Sequence, residues 1–297
     1  MMCLTSATEL SQKIKAWKVE GCSVAFVPTM GNLHQGHLSL VEKAKGLADK
    51  VVVSIYVNPM QFGVGEDLDS YPRTLPEDQK LLNECAVDLL FLPNNSVMYP
   101  GDMENDARVV LPELSQILCG EARPSHFAGV TTVVNKLLNI VQPDIAIFGE
   151  KDYQQVFLIK KMVADLFMPV TVLSSPTVRE ASGLAMSSRN QYLTSEQHLQ
   201  AASVYQVLQG AKDAALAGED LRQLESRCEE KLTKEGFRVD YVSFRSTATL
   251  QIAESKMIVP KFEVRSEVKS GVKEEGVVLL IAAWLGKTRL IDNLVIR

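Results

Sequence analysis

"CSVAFVPTMGNLHQGHLSLVEKA", residues 22–44, passes from an apolar run to a stretch with helical spacing. CSVAFVPTM has the length and apolar density of a strand buried on both faces. HLSLVEKAKGLADK repeats its apolar residues at the period of a helix. At the corner between them stand Gly31, Gly36, and two of the chain's four histidines, His34 and His37. The same alternation recurs downstream. VVVSIYVNP (51–59), DLLFLP (88–93), DIAIFG (144–149) and PVTVLSS (169–175) read as strands, and PEDQKLLNECAV, TTVVNKLLNIV and YQQVFLIKKMVADL as the helices between them. Apolar strands separated by helices predict a doubly wound parallel α/β domain over residues 1–180. In such sheets ligands bind beyond the carboxyl ends of the strands, where the corner at 30–37 falls.

After residue 180 the pattern changes. QHLQAASVYQVLQGAKDAALAG (197–218) and EDLRQLESRCEEKLTKEG (219–236) are amphipathic, with Leu221, Leu224, Cys228 and Leu232 on one helical face. FRVDYVSF, VVLLIAAWL and RLIDNLVI then read as strands, the last two joined by a turn at Gly286-Lys287. This run of strands predicts a smaller α+β domain over 181–297. The stretch KFEVRSEVKSGVKEEG (261–276) carries dense mixed charge and reads as a solvated loop or hairpin tip.

The 297 residues suffice for roughly two domains of about 150 each. A net charge of -5, from 31 basic and 36 acidic residues, argues against a surface built for nucleic-acid backbones. Five scattered cysteines without a C-x-x-C pair suggest neither a disulfide framework nor a cysteine zinc site. MMCLTSATELSQKIKAW lacks the pattern of a secretory leader, and no apolar run approaches the ~18 residues a spanning helix needs. The expectation is a reduced, cytoplasmic protein with no membrane and no nucleic-acid partner.

Chemistry concentrates in four stretches. At the first corner, a helix N-terminus offers unpaired N–H groups and partial positive charge, and glycines admit phosphate oxygens close to the backbone. Histidines there add donors where negative charge grows as a phosphoanhydride breaks. The pattern is neither a Walker loop nor G-x-G-x-x-G. Either histidine alone could equally be a helix cap or a surface residue. As a pair they could bind metal, although no third ligand stands nearby. In "IFGEKDYQQ" (147–155), Gly149, Lys151 and Asp152 would reach the same sheet edge, suiting phosphate and ribose, although a solvated loop would also explain them. "MSSRN" (186–190) gathers two hydroxyls and a guanidinium able to close on phosphates, or makes an ordinary turn. In "YVNPMQF" (56–62), Gln61 is polar among apolar neighbours, as is Gln155. Neutral amides could orient a carboxylate without neutralising a nucleophile; two surface glutamines are the alternative.

Taken in order, PTMGNLHQGHLSLV, NPMQF, YPRT, the long run RPSHFAGVTTVVNKLLNIVQPDIAIFGEKDYQQ, MSSRN and GKTRLIDN resemble the pantoate–β-alanine ligase family. The H-x-G-H element alone marks only the wider nucleotidyltransferase and class I synthetase group. The resemblance implies a Rossmann-like domain with a lid-like C-terminal domain, a homodimer, and ATP and magnesium. It also implies two steps: pantoate's carboxylate attacks the α-phosphate of ATP to give pantoyl adenylate and pyrophosphate, and β-alanine's amine then displaces AMP to give pantothenate. Carried over by position, Met30, Gly31, Asn32, Leu33, His34, Gln35, Gly36 and His37 would bind ATP. His34, His37 and Lys151 would be catalytic, His37 as proton donor to the departing group. Gly149, Glu150, Lys151 and Asp152 would hold ribose and phosphate, Val178 the adenine, and Met186, Ser187, Ser188 and Arg189 would close on the nucleotide. Gln61 and Gln155 would hold pantoate, with Gln61 also near β-alanine. Pro28 and Met30 would meet pantoate's methyls, and Tyr71 would belong to a gate.

Two features depart from the family pattern. Acidic residues after YPRT are the family's candidates for magnesium contact. Here LPEDQKLL leaves Glu77 and Asp78 as candidates, excludes Leu81, and favours a metal carried by ATP's own phosphates, so protein ligands stay unassigned. The charged 261–276 stretch is longer than the family's connection. An adenylyltransferase with a phosphate-bearing acceptor is the nearest rival, and it would want a second basic cluster. A nucleotide-binding regulator that has lost catalysis is the rival from another class, and a tRNA synthetase fragment would want a basic anticodon-reading region.

Overall fold

The apolar runs of the first half become strands of one parallel sheet. The computed structural model describes residues 1–63, 65–258 and 276–296. Within it β1 is Met2–Leu4, β2 Val24–Thr29, β3 Lys50–Ile55, β4 Leu89–Phe91, β5 Ile145–Gly149 and β6 Thr171–Ser175. They lie in the order β1-β4-β3-β2-β5-β6, every pair parallel. Only β1, three residues long, carries too little periodicity to be read from sequence. The connecting helices are α1 Ala7–Val19, α2 Gln35–Lys45, α3 Leu75–Glu84, α4 Asn95–Met98, α5 Cys119–Ala122, α6 His126–Val141 and α7 Tyr153–Asp165.

Leu40, Val41 and Ala44 of α2 and Leu82 of α3 pack with Ala25, Val27, Val51, Val53, Leu90 and Ile147 of the sheet in one core. Phe26, Val52, Leu89, Phe91 and Ala146, on the alternate positions of the same strands, are fully buried as well. A sheet with both faces covered accounts for the continuous apolar runs.

The strand order reverses at β2, whose neighbours are β3 and β5. β2 pairs with β3 along its whole length, through Thr29↔Ile55, but with β5 only at Ala25 and Phe26. Pairing therefore stops short of Pro28, which has no N–H to give a ladder. This reversal, beyond the carboxyl ends of β2 and β5, is where a doubly wound sheet opens for a ligand.

The chain divides into two compact units, Met1–Val178 and Arg179–Arg297. In the second, α8 Ser195–Ala201, α9 Ser203–Leu216 and α10 Leu221–Lys234 precede an antiparallel sheet. Its strands β7 Arg238–Ser246, β8 Val277–Leu285 and β9 Thr288–Ile296 lie in that order. The expected helix over 197–218 is two helices meeting at Ala202. Leu221, Leu224, Cys228 and Leu232 share the buried face of α10. Gly286 forms the β8–β9 turn at φ +59. The charged stretch up to residue 275 lies outside the described residues.

Candidate active site

The segment after β2 makes a tight corner before α2. Gly31 and Asn32 both have positive φ, +81° and +49°. A Cβ on Gly31 would stand 3.0 Å from Ile55 Cγ2 and 3.1 Å from Asp78 Oδ2, so only glycine suits both the conformation and the space. Asp78 holds the corner. Its carboxylate, 1% exposed, accepts from the backbone N–H of Asn32 (2.9 Å) and Leu33 (2.8 Å) and from the Thr74 hydroxyl (3.2 Å). The sequence puts Asp78 forward with Glu77 as a magnesium contact. In the structure both Asp78 oxygens accept hydrogen bonds that hold the turn.

His34 is the N-cap of α2, and its Nδ1 accepts the Gly36 N–H at 3.1 Å. His37 Nδ1 accepts the His34 N–H at 3.3 Å. The cap alternative thus holds for His34. The ring centroids lie 4.1 Å apart at 39°. A backbone N–H can only donate, so each Nδ1 is the unprotonated nitrogen and each neutral ring carries its proton on Nε2. Burial, with His34 and the Lys151 charge nearby, pulls His37 down from 6.5 to about 3. At neutral pH His37 is therefore an uncharged Nε2–H donor.

After β5, Gly149 faces open space, where a Cβ would meet nothing within 4 Å. Glu150 accepts from the Ser174 hydroxyl at 2.7 Å, tying this turn to β6. Lys151 Nζ lies 3.9 Å from the Asp152 carboxylate, whose side chain is 46% exposed against 20% for the lysine. The Lys151 charge is felt at His37, so these two motifs, more than a hundred residues apart in the chain, converge at the switch point. Val178 follows β6 and closes the first unit.

After β3, Asn58-Pro59-Met60-Gln61 forms a single 3-10 turn. Gln61, 9% exposed, points Nε2 at Met30 Sδ, 3.0 Å away, which joins the turn to the β2 corner. Its Oε1 accepts from Asn58 Nδ2 at 3.3 Å. Gln155, in the first turn of α7, is half-buried, and its side chain makes no hydrogen bond among the described residues. The order β3-β2-β5 sets these amides on either side of the β2 corner.

Several supporting residues carry no assigned role in the sequence. α6 presses on the Asn58–Gln61 turn so closely that a Cβ on Gly129 would fall 2.3 Å from Met60 O and 2.7 Å from Gln61 N. The Gln61 carbonyl accepts from Arg123 Nη2 (3.1 Å) and His126 Nδ1 (2.9 Å). Because Arg123 Nη1 can only donate to His126 Nε2, at 3.1 Å, the ring is the neutral Nδ1–H tautomer. Burial and the Arg123 charge hold His126 down at about 4. Arg123 also pairs with Glu66, which fastens the loop between β3 and α3. Tyr71 of that loop is 5% exposed and packs edge-on against Phe62 at 5.9 Å. The sequence signal for this group is weak: a third histidine and an arginine bracketing the start of the most apolar helix.

The remaining candidates belong to the second unit. Ser187 caps a 3-10 turn, Ser188–Tyr192, by accepting from the Arg189 N–H at 3.3 Å. Asn190, 6% exposed, donates to Glu180 Oε1 (2.9 Å) and Ala185 O (3.1 Å) and so fixes the turn that carries Met186, Ser187, Ser188 and Arg189. The preceding segment is anchored by Arg179, which forks onto the buried Asp292 at 2.5 and 2.9 Å. Among the described residues, no group of three or more His, Cys, Asp or Glu side chains could hold a metal ion, and no helix is long and apolar enough to cross a membrane.

Comparison with known proteins covers nearly the whole chain. The family model described as pantoate-beta-alanine ligase matches residues 2–295. Pantothenate synthetase of Azotobacter vinelandii is 50% identical over 99% of this chain and 98% of its own length, and that of Shewanella halifaxensis is 47% identical over 100% and 99%. The crystal structure of pantothenate synthetase from Thermus thermophilus superposes with a TM-score of 0.85 at 40% identity, covering 99% of both chains. The structure of the Francisella tularensis pantoate-beta-alanine ligase, complexed with beta-gamma ATP and beta-alanine, does so at 0.79 and 34%, covering 99% of this chain and 97% of that one.

Proposed function

The chain belongs to the pantoate–β-alanine ligase family, and from that premise we propose how its residues divide the work. It is an ATP-dependent, AMP-forming ligase that condenses pantoate with β-alanine through pantoyl adenylate to give pantothenate. The carrying observation is the pair of imidazoles with fixed tautomers at the β2 corner, which the Gln61 amide also reaches through Met30.

In the first step a pantoate carboxylate oxygen attacks the α-phosphorus of ATP, and the bond to the bridging oxygen breaks. Negative charge grows on the departing pyrophosphate. The Nε2–H groups of His34 and His37 and the Lys151 ammonium meet that charge, supported by the Gly31–Leu33 corner that Asp78 holds. His37 is neutral, so it acts by donating a hydrogen bond to the leaving group. The Gln61 and Gln155 amides hold pantoate without a cation that would quench its carboxylate. Pro28 and Met30 offer apolar surface to the methyls. In the second step the β-alanine amine attacks the acyl carbon, loses a proton, and AMP departs.

Gly149 to Asp152 and Val178 take the ribose and adenine. Met186 to Arg189 are assigned to the nucleotide on the family resemblance. Magnesium belongs on the nucleotide, where it offsets phosphate charge. Asp78 already accepts three hydrogen bonds that hold the corner, so protein ligands to the metal stay unassigned. Five free cysteines support a cytoplasmic enzyme, and the family resemblance supports a homodimer.

ATP–pyrophosphate exchange with magnesium and pantoate, in the absence of β-alanine, tests the assignment. Pantoate-dependent exchange is expected. ATP binding without any exchange would overturn the adenylate step.

A further inference from the structure

We propose that Tyr99 is a positioning residue for the acid substrate, acting through Asn58 to fix which end of the Gln61 amide faces pantoate. Tyr99 is 4% exposed, and its hydroxyl donates to Asn58 Oδ1 at 2.7 Å. Asn58, 1% exposed, uses all its amide sites. Oδ1 also accepts the Met60 N–H at 3.3 Å, while Nδ2 donates to Gly129 O at 3.1 Å and to Gln61 Oε1 at 3.3 Å. A backbone N–H demands an acceptor and a backbone carbonyl a donor, so this amide has one allowed orientation. The polarity then propagates: Tyr99 O–H to Asn58 oxygen, Asn58 N–H to Gln61 oxygen, and Gln61 N–H toward the site beside Met30.

The Tyr99 bond is the shortest of the Asn58 set, and the ring is itself held, with Lys136 Nζ 4.3 Å above its centroid and donating to Met98 O at 2.8 Å. A Gln61 amide locked nitrogen-outward presents a donor. That donor meets the carboxylate or hydroxyl oxygens of pantoate as acceptors. A reversed amide would put oxygen against oxygen.

The inference rests on the placement of Gln61 at pantoate, so the test separates the two. Steady-state kinetics are compared for Tyr99→Phe, Gln61→Ala and the double variant, with melting temperature as the check on folding. Tyr99→Phe keeps the ring under Lys136. It should raise KM for pantoate roughly three- to tenfold, the scale of one lost neutral hydrogen bond, and leave KM for ATP unchanged. In the Gln61→Ala background it should add nothing. An equal factor in both backgrounds, or no effect of Tyr99→Phe on pantoate, overturns the relay. A Gln61→Ala enzyme with unchanged pantoate KM overturns the placement of Gln61, and the relay with it. Asn58→Asp, which has no N–H to give Gln61, should exceed Tyr99→Phe in its effect on pantoate; a smaller effect refutes the polarity argument.

Discussion

Replacing Asp78 by Asn tests the reading of the phosphate corner. The substitution conserves volume and removes one lone-pair-bearing oxygen from a carboxylate that is 1% exposed. Two backbone donors reach that carboxylate on separate oxygens, Asn32 N on Oδ2 and Leu33 N on Oδ1, with the Thr74 hydroxyl sharing the latter. An amide oxygen can keep the Leu33 side. Its NH₂ then confronts the Asn32 N–H, donor against donor, at a position 1% exposed. Losing one charge-assisted bond and stranding a buried donor costs about 2–4 kcal/mol. For a unit of this size that lowers the melting temperature by roughly 4–16 °C. Because Gly31 and Asn32 sit at positive φ, the loosened corner should also raise KM for ATP in pyrophosphate exchange, with a smaller change for pantoate. The assays are a thermal melt and exchange kinetics. A variant that melts within a degree of the parent with unaltered ATP KM would refute the claim that Asp78 holds the corner.

His37→Ala should slow adenylate formation by ~10²-fold or more, the usual cost of one transition-state donor; an unchanged single-turnover rate would exclude that role. Gly129→Ala pushes a methyl into Met60 O and Gln61 N, so it should destabilise by about 1–3 kcal/mol and raise pantoate KM, read by urea unfolding and kinetics. His37 and His126 titrate near 3 and 4 in the fold against 6.5 unfolded, so below pH 6.5 the unfolded chain binds more protons and stability falls with pH. Each ring removes about 3 kcal/mol by pH 4. Urea midpoints from pH 7 to 4.5 should therefore drop, and drop less in His126→Gln; identical slopes for variant and parent would contradict a buried neutral His126.

The strands of the parallel sheet were legible because burial on both faces leaves an unbroken apolar run, as in Val24–Val27 and Val51–Val53. The H-x-G-H corner and GEKD were legible as motifs because each follows such a strand. What sequence hid were side chains whose partners are remote. Asp78 acts on a turn 45 residues away, Tyr99 on Asn58 41 away, and Arg123 and His126 on a carbonyl more than 60 away. No periodicity encodes such pairings. Asp78 is a metal candidate in the sequence only because it stands with Glu77 after YPRT, where the resemblance puts acidic residues. In the fold, two backbone donors have already claimed it.

His34 is an uncommon choice for the start of a helix, where serine, aspartate or asparagine caps better. An engineer seeking a more robust α2 would replace it first. That change would strengthen the helix and delete the Nε2–H that we propose meets the phosphates, since the cap and that donor are opposite nitrogens of one ring. Consensus-style stabilisation would therefore damage this enzyme at the first turn of α2, where durability and activity are in direct competition.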